Sequence, residues 1–293
     1  MKTCNTEFNI TKIKSIHEVE KSIIKTYRKD IYRSFVKAID DFNLIEPNDK
    51  IAIAISGGKD SLLLAKLFQE IKRHNKIPFE LEYIVMDPGF SRNNINLLIE
   101  NAKMLEIPIK IKKSNNFEIL EKIAKDNPCY LCARMRRGFL YEFAQELGCN
   151  KLALGHHFDD VIETTLLNMF YNGTFKTMVP KIKAENFSNM ELIRPLVYIK
   201  EKDIIRWSKY NNITTMNCGC QVQANKLSSK RREIKELVER LKKENPIIDQ
   251  MIFTSATNVY IDQIYSYKHK DQVVDFNKIY EKNKEWLLCC LTK

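Results

Sequence analysis

Apolar positions along the chain follow a helical period in some stretches and form short runs in others. From 18 to 43 they fall at Ile24, Tyr27, Ile31, Phe35, Ala38 and Phe42, in steps of three and four that mark one face of a helix. EPND (46–49) breaks that helix. Ile51–Ile55 is a continuous apolar run that stops at Ser56-Gly57-Gly58, as a short buried strand would. Ser61–Arg73 resumes as a helix with Leu63, Leu67 and Ile71 on one side. The alternation continues: strand ELEYIVMD (80–87), helix Asn93–Leu105, strand IPIKIKK (107–113) and a short helix Phe117–Lys125. NPCYLCARMRRGFLYEFAQELG (127–148) predicts a helix to about Leu147 with Gly148 as its stop signal. KLALGHH (151–157) reads as a fourth strand, Asp159–Tyr171 as a helix stopped near Gly173, ELIRPL (191–196) as a fifth strand and Lys200–Tyr210 as a helix.

Strands alternating with helices predict an α/β fold: a doubly wound, mainly parallel five-stranded sheet with an N-terminal helix and a helical C-terminal extension. The expected divisions are 1–48 for the N-terminal helical segment, 49–216 for the catalytic domain and 217–293 for the extension. In the extension, Ile234, Leu237, Val238 and Leu241 form an apolar stripe on a helix that also carries Lys230, Arg231, Arg232, Lys235, Arg240, Lys242 and Lys243. Residues 257–293, with SYKHKDQVVDF (266–276), have no clear assignment.

Charge changes this picture. Lys and Arg total 48 against 37 Asp and Glu, a formal +11, and that balance suits a polyanion such as nucleic acid as well as a lysine-rich solvated surface. No apolar run approaches the roughly 20 residues of a membrane span, and the N-terminus has no apolar signal-peptide core, so the expectation is a soluble, cytoplasmic protein with no membrane partner.

The glycine turn carries the first chemistry. A strand, a glycine-rich turn and a helix present backbone N–H groups and a positive dipole end to an anion. Ser56, Lys59 and Ser61 add hydroxyl and ammonium donors. Neither the Walker spacing nor G-x-G-x-x-G is present. SGGKDS (56–61) instead resembles the PP-loop of the ATP pyrophosphatase superfamily, S-G-G-x-D-S. That resemblance implies that Ser56, Gly57, Gly58, Lys59, Asp60 and Ser61 hold the pyrophosphate end of ATP, with attack at the α-phosphorus. It also implies the adenine nucleotide alpha-hydrolase-like PP-loop fold. Asp87, at the carboxyl end of the second strand, stands where such enzymes receive the adenosine, and also where an Asp before Pro88-Gly89 forms a turn. Gly155, His156, Asp159 and Asp160 end the fourth strand on the same edge. Asp160 could hold Mg²⁺ or position the base, whereas Asp159 is placed as a helix N-cap and His157 has no assigned role.

Eight cysteines in a chain read as cytosolic argue against a disulfide framework. Cys129 and Cys132 form a C-x-x-C, and with Cys218 and Cys220 they could supply a four-thiolate zinc site. Cys149 reads as a small core residue. The surroundings are more specific. PCYLCARMRRGFLYEFAQELG, KLALGHHFDDVIETTLLNMFYNG and IRPLVYIKEKDI occur in the order of the tRNA 2-thiocytidine synthetase family, and the resemblance spans about residues 20–245.

The resemblance implies an ATP-dependent tRNA sulfurtransferase in which three cysteines hold a [4Fe–4S] cluster, leaving one iron open to sulfide. Cys129 and Cys132 match two of those ligands. The third is Cys220, with Cys218 the alternative, because the family's C-x-x-C is here Cys218-Gly219-Cys220, one residue short. The implied substrates are ATP with Mg²⁺ and cytidine 32 of the tRNA anticodon loop. Sulfur would come from a cysteine desulfurase or free sulfide, and family members are often homodimers. Lys59, Arg137 and Asp160 are the expected catalytic residues. Arg136 and Arg194 are further candidates for phosphate neutralisation, and segment 226–243 is the candidate tRNA contact. Two other readings are a 2-thiouridine-forming relative, whose N-terminal zinc cysteines are lacking here, and a zinc-stabilised PP-loop protein that adenylates another acceptor or binds nucleic acid.

Overall fold

The computed structural model describes residues 14–74, 76–114, 128–216, 227–270 and 272–281, the side chains of 128–133 and 227–229 excepted. The expected helix at Phe117–Lys125, Cys218 and Cys220 lie outside the described residues.

A helical segment leads into the sheet. Ser15 and Glu18 form a reciprocal capping box at the start of α1 (Ile16–Lys21). The helix passes through π-type turns at Ser22–Thr26 and Arg28–Tyr32 into α2 (Arg33–Phe42). Asn43, at φ 48°, closes it before the EPND break.

Six strands follow: β1 (Asp49–Ala54), β2 (Phe79–Asp87), β3 (Ile109–Lys113), β4 (Lys151–Ala153), β5 (Lys181–Lys183) and β6 (Glu191–Ile193). Their order is β3-β2-β1-β4-β6-β5, with every pairing parallel except β5–β6. The five expected strands are present. β5 is the addition: three residues, Lys-Ile-Lys, are too short and too polar for a periodic signal. Its place on the edge comes from antiparallel pairing with β6, Ile182 opposite Leu192.

Strand alternation divides the core between two faces. Ile51, Ile53 and Ile55 of the β1 segment, with Tyr83 and Val85 of β2, face the N-terminal helices, α3 (Lys59–His74), α4 (Arg92–Met104) and α7 (Glu201–Tyr210). Ala52, Ile84, Met86 and Leu152 face α5 (Pro128–Glu146), through its Leu140, Tyr141, Phe143 and Ala144. Cys149 is buried on that face, and burial pushes its thiol up to about 11, as expected of an inert core residue.

α6 (Phe158–Asn172) follows β4 and ends at Gly173, φ 58°. The basic helix α8 (Leu227–Glu244) lays Ile234 and Val238 on Phe158, Ile162 and Leu166 of α6. α9 (Ile248–Ser255) completes that cluster. The extension is not wholly helical. Within SYKHKDQVVDF, β7 (Ser266–His269) pairs antiparallel with β8 (Gln272–Asp275), and Lys270, at φ 54°, lies in the turn. Among the described residues no helix is long and apolar enough to cross a membrane.

Candidate active site

The parallel strands bring the expected residues to one edge. The chain leaves β1 into the glycine turn, β2 into Asp87, β4 into Gly155–Asp160 and β6 into Arg194. Connections from β1 and β4 depart to opposite sides, so the crevice between their carboxyl ends is the switch point where open α/β sheets bind ligands.

The turn is tied to itself. Ser61 Oγ donates to Gly58 O at 2.9 Å and accepts from Ser56 N at 3.2 Å, which closes Ser56–Ser61 into a ring at the start of α3. That arrangement leaves first-turn amides of α3 directed out of the helix end, toward an anion. Gly57 has φ +79° and is buried. Met216 N–H donates to Gly57 O at 3.2 Å, so the chain reaches the phosphate loop two residues before Cys218. Gly155 is required by close approach: a Cβ there would lie 3.2 Å from Asp60 C and Ser61 N. Any larger residue at Gly155 presses on the loop backbone.

A cluster of carboxylates and an imidazole stands beside the loop. His157 Nε2 lies 3.5 Å from Asp160 and 3.9 Å from Asp60, and its Nδ1 lies 3.8 Å from Asp159. Burial raises the Asp60 pKa against the pull of Lys59 and His157. The N-cap of α6 is His157, not Asp159: Asp160 accepts from His157 N at 3.0 Å. Asp159 instead accepts from Glu201 N at 2.6 Å and so fixes the start of α7. Asp87 takes the turn role, its Oδ1 accepting from Gly89 N and Phe90 N at 2.9 and 2.8 Å.

Glu201 is a central residue of the site that sequence reasoning did not single out. Its Oε1 takes Lys59 Nζ at 3.1 Å and its Oε2 takes Lys235 Nζ at 2.6 Å. One carboxylate thereby joins the phosphate loop to basic helix α8. Burial works against its ionisation, but the hydrogen bond from Lys235 and the charge of Lys59 bring it down to about 2. The available signal was only KEKD at a helix start, where acids commonly complement the dipole.

Three cations converge from other elements. Arg194 is buried; its guanidinium donates to Val179 O, while its Nε has no hydrogen-bond partner. Burial and the nearby Arg137 charge depress its pKa to about 10. His156 is held neutral, near 4, by burial and by the charges of Arg194, Arg231 and Arg137, against the pull of Asp160. Its Nδ1 is buried with no hydrogen-bond partner. Two buried atoms without partners, the Arg194 Nε donor and His156 Nδ1, close to Arg137 and Arg231, fit an anionic group.

Cys129 and Cys132 stand three residues apart at the start of α5, positions that share one helix face. Arg137, farther along the same helix, acts on His156 and Arg194. Cysteine is the soft donor type an iron–sulfur cluster takes, and in the sequence Cys218 follows Met216 by two residues. Among the described residues no three His, Cys, Asp or Glu side chains are grouped to hold a metal ion. Magnesium bound mainly by nucleotide phosphates needs only one or two carboxylates, which Asp60 and Asp160 could provide.

Known proteins are similar to this chain. The PP-loop domain profile matches residues 27–218. The tRNA-cytidine(32) 2-sulfurtransferase of Bdellovibrio bacteriovorus is 41% identical over 242 residues, covering 80% of this chain and 90% of the relative. That of Citrifermentans bemidjiense is 38% identical over 226 residues, 76% of this chain and 88% of the relative. The chain belongs to the tRNA-cytidine(32) 2-sulfurtransferase family. A solved structure, the U34-tRNA thiolase NcsA from Methanococcus maripaludis with its [4Fe-4S] cluster, has a TM-score of 0.63 at 25% identity, covering 77% of this chain and 76% of that one. The matched PP-loop family spans the SGGKDS loop, and the likeness to this neighbour spans the fold around it. The profile ends at Cys218, so α8, which supplies Lys235 to Glu201, lies beyond it.

Proposed function

We propose that the protein is an ATP-dependent tRNA sulfurtransferase that converts cytidine 32 of the anticodon loop to 2-thiocytidine in the cytoplasm. The observation that carries this reading is the Ser56–Ser61 loop at the switch point of the sheet, closed by Ser61 Oγ between Gly58 O and Ser56 N. The relatives' names and the cluster in NcsA support it.

The loop Ser56–Ser61 receives the pyrophosphate end of ATP, with Lys59 countering charge that develops on the phosphates. Cytidine O2 attacks the α-phosphorus; the bond to pyrophosphate breaks and the base carries AMP on O2. A sulfur nucleophile then attacks C2, the C2–O bond breaks and AMP leaves with the oxygen. His156, kept neutral, can accept or donate a hydrogen bond in the pocket without adding a charge. Asp160 orients the base or a phosphate-bound Mg²⁺. Arg137 and Arg194 hold anionic oxygens. A cluster on Cys129, Cys132 and Cys220 would supply an open iron able to carry sulfide. The sulfur donor is a cysteine desulfurase or free sulfide, and the working form is a homodimer.

Protein purified without oxygen is expected to be brown, with about four irons and acid-labile sulfides per chain as in a [4Fe–4S] centre. With tRNA and ATP it should release AMP and pyrophosphate and form 2-thiocytidine by nucleoside analysis. A colourless, zinc-loaded protein would sink the cluster reading, and 2-thiouridine as the product would overturn the choice of base. Cys220→Ser should lose the iron while Cys218→Ser keeps it; the reverse result reassigns the third ligand.

A further inference from the structure

The apolar stripe of α6 runs past its core. Phe158, Ile162 and Leu166 follow one another at intervals of four and are buried. Phe170 is the next member of the series, yet it is 56% exposed. Phe175, in the following turn, is 52% exposed, and Met169 and Tyr171 are exposed as well. Four exposed large apolar side chains within Met169–Phe175 mark a binding surface more often than scattered single residues do.

The turn that holds Phe175 is well tied. Asn168 is its anchor: its carbonyl accepts from Thr174 N at 3.0 Å and its side-chain amide donates to Lys176 O at 2.7 Å. Thr165 Oγ1 donates to Thr177 Oγ1 at 2.8 Å. Aromatic rings presented on a pinned turn lose little freedom on binding.

Charge selects the occupant. From Thr164 to Ala184 there is no Asp or Glu, while Lys176, Lys181 and Lys183 are present. Lys181 is engaged by Glu46 and Glu191, whereas Lys176 and Lys183 are exposed. On the adjoining α8, Lys230 Nζ lies 4.7 Å from the Tyr171 ring centroid, and exposed Arg231 and Arg232 flank it. The acids on that side are engaged: Glu233 accepts the Tyr171 hydroxyl at 2.7 Å, Glu163 faces Arg231 at 3.4 Å and Glu236 faces Arg232 at 3.7 Å. An isologous dimer through this surface would bring the same basic patch against itself. Aromatics interleaved with cations fit unstacked nucleotides, whose π-faces stack and whose phosphates pair with lysine.

We propose that Phe170 and Phe175 form a stacking platform for unpaired nucleotides of the tRNA, with Lys176 and Lys230 on the adjacent phosphates. This rests on the tRNA reading above and names a surface for it. From Asp160 to Asn172, α6 spans about 18 Å, so the platform would hold nucleotides neighbouring the one being modified.

The test is equilibrium binding of an unmodified tRNA to the full chain over a series of salt concentrations. The Phe170→Ala/Phe175→Ala variant should bind roughly tenfold or more weakly. Its salt slope should be unchanged, because stacking releases no counterions. Lys176→Gln should weaken binding and flatten the slope by about 0.7. ATP binding should be unaffected in both. Light scattering on the same samples reports mass. Equal tRNA affinity in wild type and the double-Phe variant overturns the platform, as does a double-Phe variant whose only change is loss of a dimer. Wild type that binds no tRNA would instead refute the functional reading itself.

Discussion

Gly57→Ala is expected to lower ATP-dependent thiolation at least a hundredfold in a chain that still folds. Two effects act at this position. A Cβ on Gly57 would stand 2.3 Å from Met216 Sδ and 3.3 Å from Leu98 Cδ1. Methionine is flexible and can give way. The backbone cannot: φ is +79°, and a left-handed conformation costs an alanine about 1–2 kcal/mol. Leaving that conformation turns the loop amides away from the phosphates, and a displacement of about 1 Å in a reacting group can cost on the order of a hundredfold in rate. Gly57→Ala/Met216→Ala separates the effects, since it removes the methionine contact and keeps the strain. The double variant should recover little. Gly58 is the internal control: a Cβ there meets only Ser56 Oγ at 3.4 Å, and Gly58→Ala should stay within about tenfold of wild type. AMP release in a single turnover measures all three, and circular dichroism checks the fold. Gly57→Ala with near-normal turnover, or full recovery on removing Met216, would show that the conformation of this loop does not limit the reaction.

What could be read in the sequence depended on how local the cause was. SGGKDS was legible because the strand end, the turn and the helix start are consecutive, and the ring of hydrogen bonds spans only Ser56 to Ser61. The five expected strands were legible because each has an apolar run or alternation of its own. β5 has neither, and its pairing with β6 comes from tertiary position. The capping of α6 was misplaced by two residues because an Asp at a helix start is a frequent N-cap, and Asp159 stood there in sequence. Only the fold shows that Asp159 is taken by the Glu201 amide, leaving His157 at the cap with Asp160 accepting from its N–H. Arg194 was a candidate for phosphate neutralisation in sequence, but that it is buried with its Nε unpaired comes only from the fold. Glu201 was invisible for the same reason: its partners are 142 and 34 residues away in the chain.

Glu201→Gln is the second change with a large expected effect, and its pH dependence follows from the same contacts. Lys59 and Lys235 hold the folded-state pKa near 2, below the value of 4.5 expected without them. A depressed carboxylate contributes stability above its unfolded pKa and loses it as pH falls through the folded one. The contribution is therefore full above about pH 5 and declines between about 4.5 and 2. At about 1.4 kcal/mol per pKa unit the fall from 4.5 to about 2 amounts to about 3.5 kcal/mol, which solvent screening at this partly exposed carboxylate reduces to on the order of 2–3 kcal/mol. Glutamine keeps the shape and can accept one of the two hydrogen bonds, so the variant should lose about 1–3 kcal/mol at pH 7. The gap to wild type should shrink as the buffer is taken from pH 5 toward 3. Urea unfolding across that range measures it, and a gap independent of pH would remove the ion pair as its cause. A Glu201→Gln/Lys235→Met cycle then asks whether loop and basic helix are joined through this carboxylate. Residues in contact within one network couple by about 0.5–3 kcal/mol, whereas independent sites add. Because Lys59 shares Glu201, coupling between Lys235 and Glu201 should appear in turnover as well as in stability. Additive losses in both would mean that α8 rests beside the phosphate loop without acting on it.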